Sequence, residues 1–297
     1  VLDGGDYHGC VGADASFDVT MKVLPAEQMN QLGSIRIAGF TLFGIIAITS
    51  ISFAGFVFCN RHQQVVKALQ PIFLLCICGG VLVMGSSIVP LSFDDGIASQ
   101  RGSDIACMSL PWLLTLGFSV AISALFAKLW RINKLFSASN RFRRVQVRVR
   151  DVLTPLVALL AVNITILLCW TLVDPLVYER YEIDGASWSS YGRCVGTSNA
   201  PNTFLIILSV LNIIALLLAL IQAWKARNIS DEFSETKIVG GALYGWLQLL
   251  IIGVPVLTLI EEDNTTARYF LLVALMFLVS MSMLLIIFVP LFIQIRN

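Results

Sequence analysis

Twenty consecutive residues without a charge lie between Cys107 and Lys128. As an α-helix rising about 1.5 Å per residue they span about 30 Å, the thickness of a bilayer's hydrocarbon core. The run closes on Lys128-Leu129-Trp130-Arg131, two cations at one membrane face, while Cys107 marks the other. A cysteine at a membrane face suggests a tether on an oxidising side, and a Lys/Arg cluster suggests a cytoplasmic side.

Six further apolar runs are long enough to cross: residues 37–58, 69–89, 152–173, 203–224, 238–260 and 269–295. Composition agrees, with 57% of residues hydrophobic and 13% charged, against about 25% charged in a soluble domain. The chain reads as an all-α membrane protein, a seven-transmembrane helix bundle over residues 36–297. Residues 1–35 differ in kind: Asp3, Asp6, Asp14, Asp18, Glu27 and five glycines, with no apolar run. This is an exposed segment. It has no initiating Met and no signal-like core, so the chain is expected to begin partway through a longer protein.

Seven crossings put the termini on opposite sides, and the basic residues choose between the two orientations. With the N-terminus outside and the C-terminus inside, 14 of the 20 Lys and Arg are cytoplasmic but only four of the 19 acids. That is the positive-inside pattern. It leaves Cys10, Cys107 and Cys194 outside. A bridge from Cys107 to Cys194 would pin the loop between the fourth and fifth spans over the bundle, with Cys10 left free or paired upstream. Cys59, Cys76, Cys78 and Cys169 fall in or at the inner ends of spans, where thiols pack as small hydrophobes.

The contents of the spans disfavour several functions. A metal enzyme needs clustered His, Asp or Glu, yet His8 and His62 lie outside the spans. An ion-coupled transporter needs carboxylates at mid-membrane, and all 19 acids lie elsewhere. A retinal protein needs a lysine in the seventh span, which has none. No enzyme activity, cofactor or nucleic-acid partner is expected. Asn163, Asn212, Gln222 and Gln248 read as helix-to-helix hydrogen bonds, worth roughly 0.6 to 2 kcal/mol each. Small residues of the second span, among them Cys76, Cys78, Gly79, Gly80 and Gly85, read as close-packing faces. The run from Arg131 to Arg150 has two readings: a patch held against anionic lipid headgroups, or a docking face for a cytoplasmic partner.

Five short motifs, in order on successive spans, resemble a known family. They are Phe126-Ala127-Lys128-Leu129-Trp130-Arg131, then Cys169-Trp170 with Asp174-Pro175, Trp224-Lys225-Ala226-Arg227-Asn228-Ile229-Ser230, Glu235-Thr236-Lys237-Ile238-Val239-Gly240, and Phe288-Val289-Pro290. From about residue 37 onward the chain resembles the transmembrane domain of GABA-B-type metabotropic receptors, which are class C G-protein-coupled receptors. The resemblance implies a multi-pass plasma-membrane receptor that passes agonist binding to heterotrimeric G proteins through rearrangement of a homo- or heterodimer. The agonist, GABA or another amino acid, would bind a domain absent from this chain.

Carried over by residue, the resemblance implies the Cys107–Cys194 disulfide and an ionic lock between Lys128 and Glu235. The bland alternative for Lys128 is snorkelling to the headgroups. It implies a G-protein-facing surface of Arg131, Lys134, Arg143, Arg144, Lys225 and Asn228, and a dimer contact at Tyr244. Two positions depart from the family pattern: Gly245 stands where asparagine is usual, and Leu291 where lysine is usual. Leu291 keeps open a non-coupling subunit of a heterodimer; a transporter is the more distant alternative. Asn264-Thr265-Thr266 is a glycosylation acceptor pattern on an outside loop.

Overall fold

The computed structural model describes residues 28–63, 71–139, 149–182, 189–226, 234–261 and 264–296. Strand β1 (Gln28–Asn30) leads through Gly33, whose φ of +52° lies in the left-handed region that glycine enters freely, into helix α1 (Ile35–Cys59). The second span is α2 (Pro71–Ser86) with a short continuation α3 (Ile88–Leu91). It breaks at Ser87, whose hydroxyl donates to the Met84 carbonyl at 2.5 Å and so competes with the helix ladder. The other spans are α4 (Gln100–Ser139), α5 (Val149–Val173), α6 (Ala200–Ala226), α7 (Ser234–Leu259) and α8 (Thr265–Arg296). Seven segments are long and apolar enough to cross a membrane.

One expectation needs correction. The helix of the third span does not start at Cys107: α4 begins at Gln100 and runs 40 residues. The reason lies in its first turn. Asp104 Oδ1 accepts from the Tyr178 amide at 2.8 Å, and Gln100 Nε2 donates to the Tyr178 carbonyl at 2.6 Å. The helix is therefore held beyond the apolar run by a strand it meets. That strand belongs to a small sheet that the seven-helix bundle carries outside its spans. β2 (Val177–Glu182) and β3 (Ser189–Val195) form an antiparallel hairpin, and β1 pairs parallel to β3, Gln28 opposite Ser189 and Asn30 opposite Tyr191. The order is β1-β3-β2.

The main core joins α1, α2, α4, α7 and α8 through buried Ile46, Ile77, Val81, Leu125, Leu243 and Phe288. Phe53 stacks on Phe288 with ring centroids 4.7 Å apart. Between α2 and α4 the backbones nearly touch: a Cβ on Gly80 would stand 2.8 Å from the Ala121 amide nitrogen, and one on Gly117 would overlap the Met84 backbone. Gly80 and Gly85 thus have close neighbours, while Gly79 faces open space. Of the cysteines expected to pack as hydrophobes, Cys78 is buried and Cys76 half-buried, but Cys59 and Cys169 are exposed on the outer surface of the bundle. Cys10 lies outside the described residues.

Candidate functional site

At one end of the bundle the sheet is tied to the helices by neighbouring acids in the turn after α3. Asp94 Oδ2 accepts from the Leu32 amide at 3.0 Å, and its carboxylate pairs with Arg36 Nη2 at 3.2 Å, which fixes the stretch between β1 and α1. Asp95 Oδ2 meets Arg180 Nε at 2.6 Å, which fixes β2, and the same guanidinium reaches Ser190 Oγ on β3 at 2.8 Å. Neither bridge is fully exposed, so both escape much of the solvent screening that makes surface pairs weak. Beside them Tyr178 has its pKa pushed up to about 12, first by burial and then by Asp95.

Cys107 in α4 and Cys194 in β3 are joined in a disulfide, with Cα atoms 5.6 Å apart and a sequence separation of 87. Immediately after α5, Asp174 gathers the far end of the same loop. Its carboxylate accepts from the Ser198 hydroxyl at 2.6 Å, the Ser198 amide at 2.9 Å, and both the amide and hydroxyl of Thr197 at 2.8 Å. These donors, Ser198's hydroxyl foremost, hold the acid down at about 2. A cavity of about 670 Å³ opens beneath the sheet, walled by Asp94, Ser103, Trp170, Tyr178, Arg193 and Tyr269 among others.

Midway along the bundle three helices are knotted by polar side chains. Asn163 Nδ2 on α5 donates to Ser119 Oγ on α4 at 3.1 Å, Ser119 Oγ donates to Asn212 Oδ1 on α6 at 3.0 Å, and Asn212 Nδ2 donates back to Asn163 Oδ1 at 3.1 Å. Nearer the other end, Asn133 Nδ2 on α4 donates to Gln222 Oε1 on α6 at 2.9 Å. Three of the four polar residues expected to join helices therefore do so. Gln248 is exposed instead.

That other end carries the basic residues. Lys128 is buried, 9% exposed. Glu235 lies on the first turn of α7, with its side chain outside the described residues. Arg131 is half-buried, with its Nε enclosed and without a hydrogen-bond partner among the described residues. Lys134 Nζ sits 4.5 Å from the Trp130 ring centroid, one helical turn back, a cation–π contact. Lys225 is exposed on the last turn of α6. Arg143, Arg144 and Asn228 lie outside the described residues. Tyr244 is 53% exposed on α7. Asn264 is exposed at the disulfide end, where its Oδ1 accepts from the Ala267 amide at 3.1 Å and caps α8. Missed from sequence were Asp94, Asp95, Arg180 and the hairpin they hold.

Residues 32–291 match the family model described as "7 transmembrane sweet-taste receptor of 3 GCPR". Among curated proteins the chain is 26% identical over 269 residues to gamma-aminobutyric acid type B receptor subunit 2 of Rattus norvegicus, covering 88% of this chain and 28% of that protein. It is 24% identical over 293 residues to gamma-aminobutyric acid type B receptor subunit 1 of Mus musculus, covering 94% and 30%. It is 27% identical over 253 residues to metabotropic glutamate receptor-like protein A of Dictyostelium discoideum, covering 83% and 30%. The chain thus spans less than a third of the length of these relatives.

Proposed function

This chain belongs to the seven-transmembrane family of class C G-protein-coupled receptors, and from that premise we propose that it is the signalling domain of a GABA-B-like receptor. It is a multi-pass plasma-membrane protein and acts as a receptor, not as a catalyst. On this reading the sheet end is outside, residues 1–35 join the bundle to an extracellular domain, and GABA or another amino acid binds there. Agonist binding rearranges a dimer, with Tyr244 among the contacts. The basic end then engages a heterotrimeric G protein through Arg131, Lys134, Arg143, Arg144, Lys225 and Asn228. A glycan on Asn264 would belong to the outside.

The observation that carries this reading is the pairing of β1 with β3. Whatever pulls on the chain before residue 28 acts on β3 through backbone hydrogen bonds, and β3 is bonded covalently to α4 through Cys194 and Cys107. The Asp94 and Asp95 bridges brace both sides of that junction. At the far end of α4, the burial of Lys128 supports an ionic lock with Glu235, because a buried ammonium without a counter-charge is strongly unfavourable. Opening such a lock therefore requires the rearrangement to give the Lys128 ammonium water or a new partner as it leaves Glu235.

The test is nucleotide exchange on purified heterotrimeric G proteins by this chain reconstituted in vesicles, with Glu235→Ala beside it. Exchange above background, raised by the variant, is expected. No exchange from either form, with the fold intact, would overturn coupling by this chain. The second reading, a non-coupling subunit of a heterodimer, would then stand. It is favoured by Leu291, which is 2% exposed in the core where the family usually places a lysine.

A further inference from the structure

Near the basic end of α4, Arg131 and Lys134 stand three residues apart, a spacing that makes side chains neighbours on a helix. Neither makes an ion pair among the described residues. Arg131 is half-buried, and its enclosed Nε finds no acceptor among the described residues. A guanidinium carries five N–H donors in one plane, and enclosing a donor without an acceptor is costly. Lys134 is half-buried too, and its Nζ turns back over the Trp130 ring, 4.5 Å from the centroid. Trp130 is itself seated on Ala127 and on Phe73 of α2. Two like charges are therefore held side by side, one of them on a packed indole.

Their depth says what could neutralise them. The uncharged run ends at Lys128, which marks the edge of the hydrocarbon. Arg131 lies about 4.5 Å of helix further on, inside the headgroup layer of about 5 to 7 Å that borders each side of the core. The Lys134 ammonium, folded back to the level of Trp130, comes to the same layer. Trp130 is also the residue type that membranes favour at that level. The anion found there is lipid phosphate, on the first carbon of the headgroup side of glycerol.

We propose that Arg131 and Lys134 hold the phosphate of phosphatidate, the lipid whose phosphate is a monoester attached directly to glycerol. Charge and depth both select it. Two cations match a group of about −1.5 to −2, the charge of a phosphate monoester at neutral pH, whereas the diester of phosphatidylglycerol carries a single charge. The additional phosphates of a phosphoinositide stand further out than the glycerol level, beyond Arg131 and the folded Lys134. Arg131 presents its fork of donors to two phosphate oxygens, and Lys134 meets the third as a point charge. This rests on the reading above only in taking the basic end as cytoplasmic. It adds a lipid partner for two of the residues proposed to meet the G protein, and gives both a counter-charge while no G protein is bound.

The whole chain in neutral detergent micelles would be titrated with dioctanoyl phosphatidate and, separately, with dioctanoyl phosphatidylglycerol, and binding read by native mass spectrometry. Phosphatidate is expected to bind at least tenfold tighter, and excess inorganic phosphate not to displace it, because a free anion has no acyl chains to hold it at the membrane edge. Arg131→Gln should weaken binding at least tenfold, Lys134→Gln several-fold, and Arg131→Lys less than Arg131→Gln because the charge is kept. Arg61→Gln removes a cation just past α1, at the same end of the bundle, and should leave the affinity unchanged. Helix content and the Cys107–Cys194 disulfide are checked in every variant. Equal affinity for the two lipids would overturn the monoester and leave a general attraction for anionic headgroups. Displacement by inorganic phosphate would overturn the lipid as the source. A loss from Arg61→Gln as large as that from Arg131→Gln would overturn the seat. No binding of phosphatidate by the wild type would overturn the proposal and leave the receptor reading to its own exchange test; phosphatidate bound by a chain that fails that test would leave this site standing and overturn coupling.

Discussion

Replacing Asn163 by leucine should destabilise the bundle by an amount that the hydrogen-bond geometry sets. The side chain is 0% exposed, and leucine keeps its branched four-atom skeleton but is bulkier, so the change is chiefly one of bonding with some overpacking added. Its Nδ2 donates to Ser119 Oγ and to the Leu159 carbonyl, and its Oδ1 accepts from Asn212. Once it is gone, Ser119 loses only an acceptor role, and its single proton stays shared between the Thr115 carbonyl at 2.7 Å and Asn212 Oδ1 at 3.0 Å. Asn212 is worse placed. One of its N–H groups still reaches the Leu208 carbonyl at 2.8 Å, but the other is left in hydrocarbon without an acceptor. Two interhelical bonds at about 0.6 to 1.7 kcal/mol each, with one orphaned donor, give a loss of about 1 to 3 kcal/mol for Asn163→Leu. The double variant Asn163→Leu/Asn212→Leu removes the orphan, so its loss should fall short of the sum of the single losses by at least about 0.5 kcal/mol. Denaturant titration in mixed micelles reads this through labelling of the buried Cys78 thiol, with exposed Cys59 and Cys169 as the unprotected baseline. Strict additivity would refute the closed ring.

Two further predictions rest on single positions. Asp174 is held at about 2 against an ordinary 3.8, so its bonds to Thr197 and Ser198 stabilise the fold above about pH 4 and are lost as pH falls toward 2; thermal unfolding across that window should show a step that Asp174→Asn abolishes. Gly117→Val drives a side chain into the Met84 backbone and should cost at least the roughly 1 to 3 kcal/mol typical of overpacking, while Gly79→Val, with nothing within 4 Å, should leave the yield of monodisperse protein unchanged on size exclusion.

The spans were legible because the bilayer imposes a length and an absence of charge, and both are visible one residue at a time. The knot of Asn163 and Asn212 was legible for the same reason: an amide in an apolar run must find a partner, and neighbouring helices supply it. The same logic placed Gln248 wrongly, because periodicity cannot say which face of a helix turns outward. The start of α4 was missed because the apolar run marks where lipid begins, not where helix does; Gln100 and Asp104 extend the helix by binding a strand 74 residues or more away. The strand itself left a signal. Val177-Tyr178-Glu179-Arg180-Tyr181-Glu182 is rich in strand-forming residues, and Asp184-Gly185 follows it, a turn pair. Hidden altogether was the joining of β1 to β3, since three residues of backbone pairing carry no side-chain pattern.

These connections decide which parts of the bundle can move against one another. α4 is bound to the hairpin through Cys194 and through Asp104 on Tyr178, to α5 through Trp112 Nε1 on Thr171 Oγ1 at 3.1 Å, and to both α5 and α6 at Ser119. Asn133 and Gln222 tie it to α6 again near the basic end. A displacement of β1 therefore cannot shift α4 alone; it shifts α4, α5 and α6 as a block. Among the described residues α7 meets its chief neighbours, α6 and α8, through apolar side chains and the Trp246 bond. Apolar contacts slide at less cost than hydrogen bonds break in hydrocarbon, so the block parts most readily from α7. Lys128 is on the block and Glu235 on α7, which puts the proposed lock across that boundary.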